Sequence, residues 1–512
     1  AATQQVATVE VPAQRGSITD RTGTELAVSE PATDVAATPY LVKDPQGAAA
    51  KLAPILRRTP EELLRKLTTK SGFVYLARKV PSSRTAKIPS LGIPGMSLIP
   101  TGRREYPRDW LASQVLGTVK ADGTGGAGLE YSEEKVLHGS DGERRIVRDA
   151  LGQPISIQDT KPMQPGHDVR LTLDAQIQDK VEEVLRGVGQ AYKPKSATAL
   201  VTDPRTGQVL AMANWPAVNA NDIGGAPPEA YQNRAVGDVY EPGSTFKIVT
   251  VAGALEEGLV KPDTMFNLPP KIQVADRLIG EAHDRGYISL TTAEILAQSS
   301  NVGTIKVGAL LGKKRFDAWV RRFGFGTKTG IALPGEEQGL VLPLAKYSGS
   351  SMGNLPIGQG EAVTAVQLAS AYATIANGGM LRQPQMIRAV DGKPVPLPKG
   401  KRIISTSTAA EVRKMLEGVV RVGGTGTEAA IDGYTLAGKT GTANKIDPKT
   451  GEYSDSAYIA SFVGFAPARD PKLLVTVTVD EPRGGIYGGD VAAPAFQRIA
   501  QFALPYLGIP PS

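Results

Sequence analysis

Three separated clusters of polar residues carry the side chains that could do chemistry. The first is Glu241-Pro-Gly-Ser-Thr-Phe-Lys247, which leads into the apolar run from Ile248 to Leu255. Pro242 and Gly243 punctuate the approach and Gly258 supplies a stop, so the spacing predicts a helix opened by Ser244 with Lys247 one turn later. Positions i and i+3 share a helix face. A serine hydroxyl is a weak nucleophile until a base takes its proton, and a lysine can be that base only where burial or a second cation keeps it neutral. The second cluster, Gln298-Ser299-Ser300-Asn301, ends the helical Thr292–Ala297 and, taken alone, reads as a capped helix–helix turn. The third is Ala437-Gly-Lys439-Thr440-Gly441-Thr442.

The elements around these clusters decide what they can be. Gly433 to Thr440 satisfies the phosphate-loop pattern GxxxxGK[ST], but such a loop needs a strand before its first glycine and a helix starting at its lysine. Here Tyr434 to Ala437 alternate as a strand would, while Gly441, Asn444 and Asp447-Pro448 oppose a helix. The segment is therefore expected to be a strand presenting Lys439 and both threonines, with Gly441 leaving room for a ligand backbone. Two hairpins are predicted, Ala197–Thr202 with Gln208–Ala213 and Ala457–Gly464 with Lys472–Val479, and they could share one antiparallel sheet. Between them, stretches near 244–257, 292–310, 314–323, 364–376 and 408–420 read as helices, and 492–505 as a terminal helix. The fold class is α+β, a sheet with a helical insert.

A change of texture at Pro165-Gly166 divides the chain into an N-terminal arm, 1–165, and a second domain, 166–512, in which Asp174 caps a helix bearing Ile177, Val181 and Val184. The arm is rich in Pro and Gly and offers one helix, around Pro60–Leu67. Its Gly123-Thr-Gly125-Gly-Ala-Gly128 matches a dinucleotide-binding pattern. No run of alternating parallel strands and helices surrounds it, so a tightly packed glycine turn is the reading adopted.

Composition narrows the classes. With no cysteine, thiolate chemistry and disulfides are excluded, and His138, His167 and His283 are too scattered to suggest a metal site; neither metal nor cofactor is expected. A formal charge of +7 over 512 residues, with both signs interspersed, gives no indication of nucleic-acid binding. No apolar run is long enough to span a bilayer.

Ser-x-x-Lys, Ser-x-Asn and Lys-Thr-Gly in this order, about 50 and 140 residues apart, are far more specific together than singly. On them the chain resembles the class B penicillin-binding proteins, monofunctional peptidoglycan D,D-transpeptidases. Arg15-Gly-Ser-Ile-Thr-Asp-Arg21, Tyr106-Pro107, Gly128-Leu-Glu130 and Gly358-Gln-Gly360 extend the resemblance over nearly the whole chain, and the wording of the motifs is closer to the septal, cell-division branch. The resemblance implies a penicillin-binding, serine β-lactamase-like transpeptidase domain on a non-catalytic pedestal of the dimerisation type. Ser244 would attack the carbonyl between two terminal D-alanines of a stem peptide and Lys247 would be the base. Ser299 would relay a proton, Asn301 would orient Lys247 and the donor amide, and Lys439, Thr440 and Thr442 would grip the terminal carboxylate. The backbone N–H groups of Ser244 and Thr442 would form the oxyanion hole.

The same resemblance implies β-lactams as inhibitors, an amine of a neighbouring stem peptide as acceptor, a single-pass membrane anchor outside this sequence, an extracytoplasmic catalytic domain, and a membrane glycan polymerase with other division proteins as partners. The chain start looks like a processed or truncated product, and the end leaves no room for extra C-terminal modules. An elongation-type transpeptidase, a D,D-carboxypeptidase, a β-lactam-hydrolysing or β-lactam-sensing protein, and a division scaffold with a vestigial site remain alternatives.

Overall fold

A computed structural model describes residues 5–148, 154–222, 224–447 and 449–512. Its centre is a five-stranded antiparallel sheet made of both predicted hairpins and one further strand. Across the sheet the order is Val209–Trp215, Ser196–Thr202, Leu473–Asp480, Tyr453–Ala466 and, at the edge, Ala437–Ile446. The inner strands read as near-continuous apolar runs because both faces are covered. Leu200, Val463 and Leu474 face the helical insert. Val475, Val477 and Val479 face the other way, against helices Ala175–Tyr192 and Ala493–Tyr506, where Ile177, Val181, Phe496 and Ile499 are buried. Each fully buried aliphatic side chain contributes roughly 1.5–3 kcal/mol, so this two-sided core fixes the sheet as a rigid wall beside the insert.

The insert contains the helices expected from periodicity. Lys247–Glu256, Ala365–Ala376 and Thr406–Glu417 are as predicted to within a few residues. Thr364 and Gln367 form a reciprocal capping box, as do Thr291 and Glu294 before Thr292–Ala297. The long helix Asn301–Arg322 is interrupted at Gly312, which has φ 69° and ψ 159°.

The arm carries a helix that periodicity did not reveal, Pro45–Leu56, in addition to Pro60–Leu67. Asp44 caps the new helix through the Gly47 N–H, with Pro45 at its first position; Gly47 and Pro54 hid the pattern. Both helices cover the long strand Glu25–Ala37 through Leu52, Leu56, Leu63 and Leu67. Ahead of the Gly123–Gly128 pattern, the apolar alternation over 114–119 is compatible with a strand by sequence, but the structure forms the helical turn Ser113–Leu116 there. The glycine turn that follows is tightly packed, since a Cβ on Gly125 would lie 2.0 Å from the Glu130 carbonyl oxygen.

The arm and the rest of the chain are joined by hydrogen bonds and not only by a linker. Strand Val169–Leu171 pairs in parallel with Ile18–Thr19 of the arm and antiparallel with Ile387–Val390 of the catalytic part. Asp20 reaches the same junction: its carboxylate accepts the Ala175 N–H at 2.9 Å and the N–H groups of Thr22 and Thr24. At the base of the arm, Glu130 is fully buried and receives the Nε of both Arg15 and Arg104 at 2.6 Å.

Candidate active site

The Ser244 turn is held from three sides. A 3₁₀ turn, Gly243–Phe246, precedes helix Lys247–Glu256, and Gly243 sits at φ 53°. Phe246 is buried against Phe325 and Phe316, ring centroids 5.0 and 6.5 Å away. Thr245 donates to the Pro242 carbonyl at 2.7 Å, and Tyr372 donates to the Thr245 carbonyl at 2.7 Å. With its two neighbours locked into the core, half-buried Ser244 has little freedom except at its hydroxyl. Glu241, which opens the motif, accepts the Gly360 N–H at 2.9 Å and the Tyr453 hydroxyl at 3.0 Å, and so ties the turn to the sheet hairpin.

One helical turn on, Lys247 is fully buried and its amine meets the second cluster directly. Nζ donates to the Ser299 carbonyl at 2.6 Å, to Asn301 Oδ1 at 2.8 Å and to Ser299 Oγ at 3.2 Å. Three acceptors match the three protons of an ammonium; a neutral amine has two protons and a lone pair, toward which the Ser299 hydroxyl can turn its own proton. Burial pushes Lys247 down to about 7, with Glu281 acting in the opposite sense. Ser299 occupies the left-handed region at φ 58°, a conformation costing a non-glycine residue of order 1–2 kcal/mol. It is held there between the ends of two helices, and that turn brings its carbonyl to Lys247.

The third cluster completes the group. Ala437–Ile446 is the edge strand beside the Ser244 turn, not a phosphate loop. Lys439 is fully buried within it, and among the described residues its Nζ finds only the Thr440 carbonyl, at 3.2 Å. Burial first, and the neighbouring Lys247 second, hold Lys439 well below the usual lysine range. Such a group gains from an incoming carboxylate, which would supply the missing counter-charge. Thr440 meets Thr425 at 2.6 Å between hydroxyls, and the Thr442 hydroxyl accepts the Gly488 N–H at 3.1 Å. Gly441 is needed for close approach, but of protein elements: a Cβ there would lie 2.3 Å from Ser461 Oγ and 2.9 Å from Thr245 Cγ2.

The fold thus brings Ser244, Lys247, Ser299, Asn301, Lys439, Thr440 and Thr442 from three distant stretches to one junction between sheet and insert. Sequence reasoning missed Glu281, whose carboxylate binds the start of the Asn301 helix, and the roles of Glu241 and Tyr453. It also missed that His283 packs against Tyr487 with the rings tilted by 53° and their centroids 5.2 Å apart, linking the loop after Glu281 to the segment that binds Thr442. Cavity size does not mark this site. A cavity of about 420 Å³ lies in the arm, lined by Arg15, Arg78, Lys79 and Arg103 among others, but it holds no arrangement of nucleophile and base. Among the described residues no cluster of metal-ligating side chains occurs.

The chain belongs to the penicillin-binding protein family: residues 197–501 match the penicillin-binding protein transpeptidase domain and residues 10–171 the penicillin-binding protein dimerisation domain. Within it, the chain is similar to the class B members. The penicillin-binding protein PbpB of Mycolicibacterium smegmatis is 36% identical over 558 residues, spanning 100% of this chain and 85% of the relative. The peptidoglycan D,D-transpeptidase FtsI of Escherichia coli is 36% identical over 510 residues, spanning 98% of this chain and 85% of that one. Among solved structures, penicillin-binding protein 3 of Mycobacterium tuberculosis, complexed with aztreonam, aligns with a TM-score of 0.78 at 32% identity over 98% of both chains.

Proposed function

We propose that this protein cross-links peptidoglycan stem peptides as a serine D,D-transpeptidase of the septal type, with Ser244 as nucleophile and Lys247 as base. The observation that carries the reading is the fully buried Lys247 amine, bonded to Ser299 and Asn301 and placed near a second buried lysine, Lys439. Neutral Lys247 takes the Ser244 proton as Oγ attacks the carbonyl of the penultimate D-alanine. The tetrahedral oxyanion is stabilised by the N–H groups of Ser244 and Thr442, and losing one such donor costs roughly 10²–10³ in rate. Ser299 relays the proton to the leaving nitrogen; the C–N bond breaks, D-alanine departs and an ester to Ser244 remains. An amine from a neighbouring stem peptide then attacks the ester, forms the cross-link and returns the proton to the site. Lys439, Thr440 and Thr442 hold the donor carboxylate. A β-lactam presents a carboxylate and a strained amide in the same arrangement and acylates Ser244 without supplying a leaving group that diffuses away.

The arm, divided from the catalytic domain near residue 165, serves as the pedestal. No described helix is long and apolar enough to cross a membrane. The family resemblance supports a single-pass anchor outside this sequence, an extracytoplasmic catalytic domain, and a membrane glycan polymerase with other division proteins as partners.

The experiment is intact-mass spectrometry after incubation with benzylpenicillin. Wild type should gain one drug mass, and Ser244→Ala none. The acylation rate should follow the neutral fraction of Lys247, rising with pH to a midpoint of about 7. Rapid loss of the adduct would favour a β-lactam-hydrolysing protein, and no adduct at any concentration a vestigial site.

A further inference from the structure

Glu281 lies just beyond the strand Arg277–Gly280, outside all three motifs, and its side chain is only 8% exposed. A carboxylate so buried has to be accounted for by its partners. One oxygen accepts the Ser300 hydroxyl at 2.6 Å and lies 3.3 Å from the Val302 N–H; the other accepts the Asn301 N–H at 2.6 Å. Arg285 pairs with the first oxygen from the same loop. The adjoining Gly280 carbonyl accepts Asn301 Nδ2 at 3.0 Å. Thus two successive residues hold both the backbone and the side-chain amide of Asn301, with its Oδ1 left facing Lys247.

Simple capping explains part of this arrangement. The helix that begins at Asn301 exposes unpaired N–H groups and positive dipole at its start, and a carboxylate there is favourable. Ser300 supplies the other part of the cap, its hydroxyl accepting the Gly303 N–H at 2.9 Å, while Glu281 takes the Asn301 and Val302 N–H groups. Glu281 adds a negative charge beside a pair of buried amines. Glu281 on the loop is the charged group that bears on Lys247, with Arg285 behind it, and Lys247 in turn bears on Lys439 of the edge strand.

We propose that Glu281 is a positioning residue of the active site, which fixes Asn301 against Lys247 and sets the charge balance around the catalytic amine. The proposal rests on the assignment of Ser244 and Lys247 above. Removing the charge takes away the group that favours the Lys247 ammonium, so its proton leaves more readily and the acid limb of acylation moves to lower pH. An opposite charge nearby shifts a group by ~1–3 pH units, and Arg285 offsets part of it, so a displacement of about one unit is expected. Arg285→Met acts in reverse by leaving Glu281 unopposed, and moves the limb upward by a smaller amount.

The test is the second-order acylation rate with benzylpenicillin, followed by intact mass from pH 5 to 9, for wild type, Glu281→Gln, Glu281→Asp and Arg285→Met, each checked for folding by circular dichroism. For Glu281→Gln we expect the midpoint to fall by about one unit while the plateau drops, so that the ratio of variant to wild-type rate is highest at low pH. Glu281→Asp keeps the charge and should keep the midpoint while losing rate. A rate ratio constant across pH in folded Glu281→Gln would mean a purely structural cap and overturn the proposal. Should Glu281→Gln not fold, an unmoved midpoint in Arg285→Met overturns it equally. A wild type without an adduct, or an adduct on Ser244→Ala, would instead overturn the site assignment itself.

Discussion

Glu361 is a carboxyl in the wrong place for stability, and replacing it should strengthen the protein in a pH-dependent way. The residue follows Gly358-Gln-Gly360, is 1% exposed, and neither of its oxygens has a hydrogen-bond partner among the described residues. Burial pushes it from 4.5 up to about 8, with the Asp317 charge adding to the effect and Arg321 opposing it. The folded state therefore keeps a proton that the unfolded state has lost. For a raised carboxyl, stability is greatest below the unfolded value of 4.5 and falls as pH rises through the window to about 8. At ~1.36 kcal/mol per pH unit, the loss between pH 5 and 7.5 is about 3 kcal/mol. Glu361→Gln keeps the shape and the polar atoms but cannot ionise, so it isolates this loss. Urea denaturation at pH 5 and 7.5 is the assay. With a slope of ~3 kcal/mol per molar, the variant midpoint should exceed wild type by close to 1 M at pH 7.5 and by little at pH 5. Comparing variant with wild type at each pH cancels other groups, such as Glu182, which burial raises to about 7. A midpoint difference that is the same at both pH values would refute the reasoning, because it would mean that Glu361 does not titrate in this window.

Two further outcomes follow from the packing. Glu130→Ala leaves Arg15 and Arg104 as buried guanidinium groups without their shared carboxylate, and should cost about 3–5 kcal/mol in urea unfolding of the arm, against little for a surface pair such as Lys180–Glu183. Gly441→Ala places a methyl 2.3 Å from Ser461 Oγ and 2.9 Å from Thr245, so the edge strand must move off the Ser244 turn. Its benzylpenicillin acylation should fall by at least ~10²-fold, as misplacing reacting groups by about 1 Å does, while far-ultraviolet circular dichroism stays unchanged.

Much of the scaffold is readable locally. The two hairpins, the cap at Asp174 and the helices of the insert arise from local capping chemistry and from period-two and period-3.6 patterns that neighbouring residues impose on one another. Where local signals conflict, the reading failed. Pro54 and Gly47 concealed the helix Pro45–Leu56, and the run 114–119 looks like a strand but is short and packs as a helical turn. Strand Val169–Leu171 illustrates another limit: its partners come from residues 18–19 and 387–390, and no local pattern names them.

The site divides in the same way. The sequence by itself determined the types and order of the groups: a serine with a lysine one turn on, a Ser-x-Asn turn, and a Lys-Thr-Gly strand. Only the tertiary structure decided that Lys247 is fully buried beside Lys439, that Ser299 takes a left-handed turn facing that amine, and that Glu281 anchors Asn301. The reason is physical. Desolvation and Coulomb interactions depend on distance through space, and the groups gathered around Lys247 come from stretches up to about 190 residues away along the chain.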